Sequence, residues 1–174
     1  MTALDSLGPL TADGSHLFDG RVAAAIELVW REATLLDAPD YETWDGLFTA
    51  DARYVIPIDP TATDFEASLN MVYDDERMRR MRVERLVGGF SMSAVSAART
   101  VRTLSRFVVR EQTEDELELT SAQVLVGHKR ERTFVLGADV THRIRFVDGR
   151  PAIALKVVRL VNSDESVSAS GFLL

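Results

Sequence analysis

The sequence holds 174 residues, 46% of them apolar and 27% charged, with a net charge of −7 and no cysteine. Length and balance fit one folded domain, and the missing cysteine excludes disulfides, thiolate nucleophiles and iron–sulfur clusters held by this chain. The acidic balance argues against nucleic acid, no apolar run is long enough to cross a bilayer, and residues 1–20 are polar and acidic rather than basic then apolar, so the expectation is a cytoplasmic protein.

Residues 1–20 read as an N-terminal arm and 21–174 as a single domain. Val22, Ile26, Val29, Trp30, Ala33 and Leu36 recur at three- and four-residue spacing, which predicts a helix with one apolar face. Asp19 is its expected N-cap, and Asp37-Ala38-Pro39 ends it. Asp40 is placed to cap a short second helix carrying Tyr41, Trp44, Leu47 and Phe48. The period then changes to two at Tyr54, Ile56 and Ile58, a strand that Pro57 and Pro60 mark as an edge or as ending early. Residues 69–73 read as another strand. Asp74 or Asp75 caps a third helix to about Leu86, stopped by Gly88-Gly89. Arg77, Arg79, Arg80, Arg82 and Arg85 alternate there with acidic residues, which reads as a salt-bridged helix face.

From about Val101 the chain reads as β: residues 101–110, 116–131, 132–146 and 151–162. Leu117, Leu119, Ala122, Val124 and Val126 are the apolar positions of the second run, and Gly137 is a bulge candidate in the third. Asp148-Gly149 is a strong hairpin turn signal. Helices first and an antiparallel meander last predict an α+β fold, a curved antiparallel sheet with helices on its concave face. Such a cone encloses an interior that can serve as a cavity.

The histidines His16, His128 and His142 have no metal-ligand spacing, and surface or hydrogen-bonded strand positions account for them. Asp74 and Asp75 are adjacent carboxylates whose ordinary use is capping the following helix. Asp139 and His142 could pair as orienter and base, but positions three apart on a strand face opposite ways. Tyr54, with Trp30, Tyr41, Trp44 and Phe48, suits either a core or a pocket wall. Arg99, Thr100, Arg102 and Arg106 form a second basic group, and arginine's planar fork suits interface ion pairs. There is no phosphate loop and no nucleophile elbow.

Three blocks carry a resemblance. They are Glu32-Ala33-Thr34-Leu35-Leu36-Asp37, then Asp40-Tyr41-Glu42-Thr43-Trp44, then Leu47 through Pro57 (LFTADARYVIP). Val72-Tyr73-Asp74-Asp75, Arg82-Val83-Glu84-Arg85-Leu86 and Ala98-Arg99-Thr100-Val101-Arg102 extend it. Over residues 22–174 the sequence resembles the β subunits of aromatic-ring-hydroxylating dioxygenases, departing from them at Ser96-Ala97-Ala98, where a proline is common. The resemblance implies the cone-shaped fold shared with nuclear transport factor 2 and ketosteroid isomerase. It implies assembly with an α subunit as α3β3, self-association as a trimer, and a part in aromatic hydrocarbon catabolism. It also implies that the Rieske [2Fe–2S] cluster and the mononuclear non-haem iron sit in α. A chain with no cysteine and three scattered histidines can supply neither ligand set.

The expected function is therefore a non-catalytic, cofactor-free subunit of an oxidoreductase, structural in role, with no nucleic-acid or membrane partner. Arg99, Arg102, Phe172 and Leu173 are the interface candidates. The alternative is a free-standing isomerase or dehydratase, or a small-ligand binder, using the cone interior with Asp75, Asp139, His142 or Tyr54 as acid–base groups.

Overall fold

The computed structural model describes residues 19–88, 98–163 and 172–174. The expected arm at residues 1–20, including His16, falls almost wholly outside them, as do Gly89, Ser96 and Ala97. Helix α1 (Gly20–Asp37) begins where Asp19 accepts a hydrogen bond from the Arg21 amide, satisfying one of the donors a helix start leaves free. Its buried face is Val22, Ala25, Ile26, Leu28, Val29, Glu32 and Leu36. Trp30 is the exception to the predicted stripe: it is half exposed and meets Phe107 edge-on at 6.0 Å. Helix α2 (Tyr41–Asp45) is capped by Asp40 as expected, but it stops before Phe48, which opens the first strand.

Strands β1 (Phe48–Pro57) and β2 (Asn70–Asp74) form an antiparallel pair, and helix α3 (Glu76–Val87) follows, capped by Asp75. Among the described residues, three of the five α3 arginines are ion-paired, one of them along the helix face as the charge pattern predicts and two to neighbouring elements. Arg80 meets Glu76, Arg82 meets Asp74, and the buried Arg79 meets Asp45 at 2.8 Å while lying over the Phe48 ring. Strands β3 (Arg99–Gln112), β4 (Glu116–Lys129), β5 (Arg132–Val147) and β6 (Arg150–Leu160) form the antiparallel meander.

All six strands make one curved sheet in the order β2-β1-β6-β5-β4-β3. It is not wholly antiparallel, because β1 runs parallel to β6. The meander's last strand closes against the early hairpin, and the long connection through β2, α3 and β3–β5 supplies the crossover that a parallel pair needs. β1 is thus internal, not an edge, and Pro57 merely ends it. Gly137 is no bulge either: it pairs in unbroken register with Val124. Within the meander the irregularities fall instead around Arg106, where φ is 55°, between Val109 and Glu111, and between Arg143 and Ile144.

Two apolar clusters fill the concave side. One joins Val22, Ala25 and Ile26 of α1 to Leu117, Leu119, Ile144 and Ile153. The other joins Leu36, Tyr41, Trp44 and Tyr54 to Leu125, Val140, Val158 and the segment Phe172–Leu174. The α+β cone expected from the sequence is thus present, with its interior occupied.

Candidate functional site

The interior holds a group of ionisable side chains that an apolar core would ordinarily exclude. Glu32 comes from the buried face of α1, and its neighbours one turn away, Leu28 and Leu36, are core residues. His142 and Lys156 are directly paired across β5 and β6. Lys156 points inward because β6 carries one extra residue where Arg143 pairs with Leu155 and Ile144 with Ile153. Ile153 and Lys156 can then share a face although three positions apart.

Glu32 is the hub. Its Oε1 accepts from Trp44 Nε1 at 3.0 Å and from Lys156 Nζ at 2.7 Å, and Oε2 lies 2.8 Å from His142 Nε2. All three ionisable groups are at most 2% exposed. Burial by itself pushes the Glu32 carboxyl up. The Lys156 ammonium and the His142 ring beside it outweigh that and hold it well below the usual carboxylate range. A carboxylate so held is a pin joining α1, α2, β5 and β6 more than a proton carrier.

The next layer is made by Phe172–Leu174. Lys156 Nζ also donates to the Leu174 main-chain oxygen at 2.8 Å. Tyr54 Oη donates to that same oxygen at 2.9 Å and accepts from the Leu174 amide at 3.1 Å. Burial raises the Tyr54 phenol well above its usual value, so it stays a neutral hydroxyl. Arg102 from β3, its side chain fully buried, donates to the Leu173 carbonyl and to Asp37. Asp37 is fixed in turn by Thr100 Oγ1 and the Arg102 amide, each at 2.8 Å. The Phe172 ring stacks on Phe134 with centroids 5.5 Å apart.

Of the four acid–base nominees, Tyr54 and His142 are brought together through Lys156, while the other two lie elsewhere. Asp75 caps α3 by accepting from the Met78 amide. Asp139 lies exposed on the outer face of the sheet beside Arg106, as the strand geometry required. Of the four interface nominees, Arg102, Phe172 and Leu173 are turned inward and meet one another, and Arg99 alone is exposed. Glu32 and Lys156 were missed as site residues, whereas Trp44 was read as core or pocket wall. The available signal was a glutamate in register with an apolar helical stripe.

His128 lies at the outer surface against Thr133. Among the described residues no group of three or more histidine, cysteine, aspartate or glutamate side chains is placed to hold a metal. With no cysteine, the chain's donor set does not fit a Rieske centre, and His142 is already engaged by Glu32. Nor is any helix among the described residues long and apolar enough to cross a membrane.

Residues 31–164 match the family described as ring hydroxylating beta subunit. The chain belongs to that family. This β subunit is 28% identical to the small oxygenase component of the p-cumate 2,3-dioxygenase system of Pseudomonas putida, over 75% of this chain and 73% of that one. Its fold matches the β subunit of benzoate 1,2-dioxygenase from Burkholderia mallei with a TM-score of 0.71 at 20% identity, covering 87% of this chain and 96% of the other. It matches a chain of naphthalene 1,2-dioxygenase with a TM-score of 0.70 at 16% identity, covering 99% and 98%. The chain is therefore the small subunit of the oxygenase component of a ring-hydroxylating dioxygenase, an oxidoreductase whose partner is an α subunit.

Proposed function

We propose that this β subunit has a structural role. It self-associates as a trimer and supports three α subunits in an α3β3 oxygenase, which works in the cytoplasm on an aromatic compound in a degradative route. The Rieske [2Fe–2S] cluster and the mononuclear iron belong to α, and this chain takes no part in electron transfer. The observation that carries the reading is the state of the interior: the buried Glu32 carboxylate is saturated by Trp44, His142 and Lys156, and Phe172–Leu174 packs over them. The family match and the absence of cysteine support it. The substrate class rests on relatives named for p-cumate and benzoate dioxygenation.

The test is native mass determination of the β subunit alone and then co-produced with the α chain encoded beside it. The expected result is a trimer that takes up an equal number of iron-containing α chains. A stable monomer that ignores α would overturn the reading.

A further inference from the structure

The segment Phe172–Leu174 is held in an unusual way. It belongs to no helix or strand, yet its three residues are 4–7% exposed. Its main-chain oxygens are met by donors from three different strands: Tyr54 of β1, Arg102 of β3 and Lys156 of β6. Its side chains enter the apolar cluster that lines the same interior, against Phe134, Leu125 and Val140. An apolar body with oxygen acceptors at one end, gripped by an ammonium, a guanidinium and a phenol, is how a pocket holds a small ligand.

The grip is also incomplete. Among the described residues, Arg102 Nε is buried without a hydrogen-bond partner. It shares one edge of the guanidinium fork with the Nη2 that donates to Leu173. A peptide carbonyl presents one oxygen to that edge and leaves Nε orphaned, whereas a carboxylate presents two and satisfies both donors. A buried donor left unmade is costly, so the Arg102 edge is better matched to two acceptor oxygens than to the single Leu173 carbonyl now on it.

We propose that the cone interior behind Phe172–Leu174 is a binding site for a small apolar carboxylate, with that segment seated in it as an intramolecular stand-in. Arg102, Lys156 and Tyr54 take the carboxylate, and Phe134, Leu125 and Val140 take the apolar body. The ligand must displace the segment, so affinity in the intact chain is set by that competition.

The experiment titrates the β subunit without its α partner, so that no other site contributes and the result stands apart from the subunit role. The probes are 4-phenylbutyrate and the uncharged 4-phenylbutan-1-ol, followed by calorimetry. Two variants open the site: deletion of residues 172–174, and the otherwise intact chain carrying Phe172→Ala with Leu174→Ala. The expected result is saturable one-to-one uptake of the acid by either variant, at least tenfold tighter than by the unaltered chain. Uptake of the alcohol, or of the acid after an added Arg102→Lys, should be at least tenfold weaker. A deletion variant that keeps its circular dichroism spectrum and takes up no acid overturns the proposal. If the deletion unfolds the chain, absence of uptake by the double alanine variant overturns it equally. Indifference between acid and alcohol overturns the carboxylate assignment.

Discussion

Glu32 and Lys156 illustrate how little a buried ion pair resembles a surface one. Both are essentially out of water, so each depends on the other to offset its desolvation. Lys156→Met leaves Glu32 buried with Trp44 and His142 alone, and should cost about 3–5 kcal/mol in urea unfolding. Adding Glu32→Leu should recover part of that loss, with a coupling energy on the order of 2 kcal/mol; simple additivity would mean that the pair is not energetically linked. The same carboxyl gives the protein an acid limb. A group depressed in the fold stabilises fully above its ordinary value of 4.5, and that contribution is lost as pH falls below it toward the lower folded value. Unfolding midpoints measured from about pH 6 to about pH 3 should fall less steeply for the Glu32→Leu, Lys156→Met double variant than for the parent. Equal slopes would assign the acid sensitivity to other carboxylates. The glutamate was legible in principle, standing three residues after Val29 and four before Leu36 on an apolar stripe. The lysine was not. Alternation through Ile153, Leu155 and Val157 turns Lys156 outward, and only the extra residue in β6 reverses it.

At the scale of elements, helix ends were read well because capping chemistry is local. Asp19, Asp40 and Asp75 each accept from an amide of the first turn. Turns were read unevenly for a related reason. Asp148-Gly149 announces itself, with both residues at positive φ. The turn between β4 and β5 uses Arg130 and Glu131 at φ of 50° and 62°, residues that carry no turn signal, so that boundary was drawn too late. Those two strands are nevertheless locked in register by one small residue. Gly127 faces Phe134 across the ladder, and a Cβ added there would sit 2.2 Å from the ring. The ring covers the glycine and stacks on Phe172, so the glycine indirectly seats the closing segment. Gly127→Ala should displace Phe134 and cost about 1–3 kcal/mol. Leu174 amide protection against hydrogen exchange should drop with it. Adding Phe134→Leu, which makes room for the methyl group, should return part of the stability but not the protection. Unchanged melting in the single variant would show that the ring swings aside freely.

For the molecule as a whole, the sequence gives away the cone but not which of its surfaces is for assembly. The clue lies in β4, where the apolar positions change phase. Leu117, Leu119 and Leu125 point inward, while Val124 and Val126 point outward. The register places Val126 between Val101 and Val135 on neighbouring strands, and sets Val124 opposite Thr103 and Gly137, with Val161 over that glycine. Val101, Val135 and Val161 are 59%, 62% and 80% exposed, so the outer face carries a contiguous apolar area at this end. The other end of the same face is charged, with Arg143 paired to Glu118 and Arg145 to Glu116 and Asp51. Scattered exposed valines need no explanation, but a clustered set beside a charged rim is the composition of an assembly surface. Arg99, exposed two residues before Val101, would lie at its border. If the subunit assembles through this area, placing two carboxylates in it adds like charges that must be desolvated on contact, while leaving the concave core untouched. Val126→Glu with Val135→Glu should therefore preserve the circular dichroism spectrum yet shift the native mass from oligomer to single chain, and salt should recover little of the assembly. Glu118→Ala, at the charged end, should leave the mass unchanged because an exposed pair contributes about 0–1 kcal/mol. An oligomer that survives both valine substitutions would move the assembly surface away from the outer face of β3, β4 and β5.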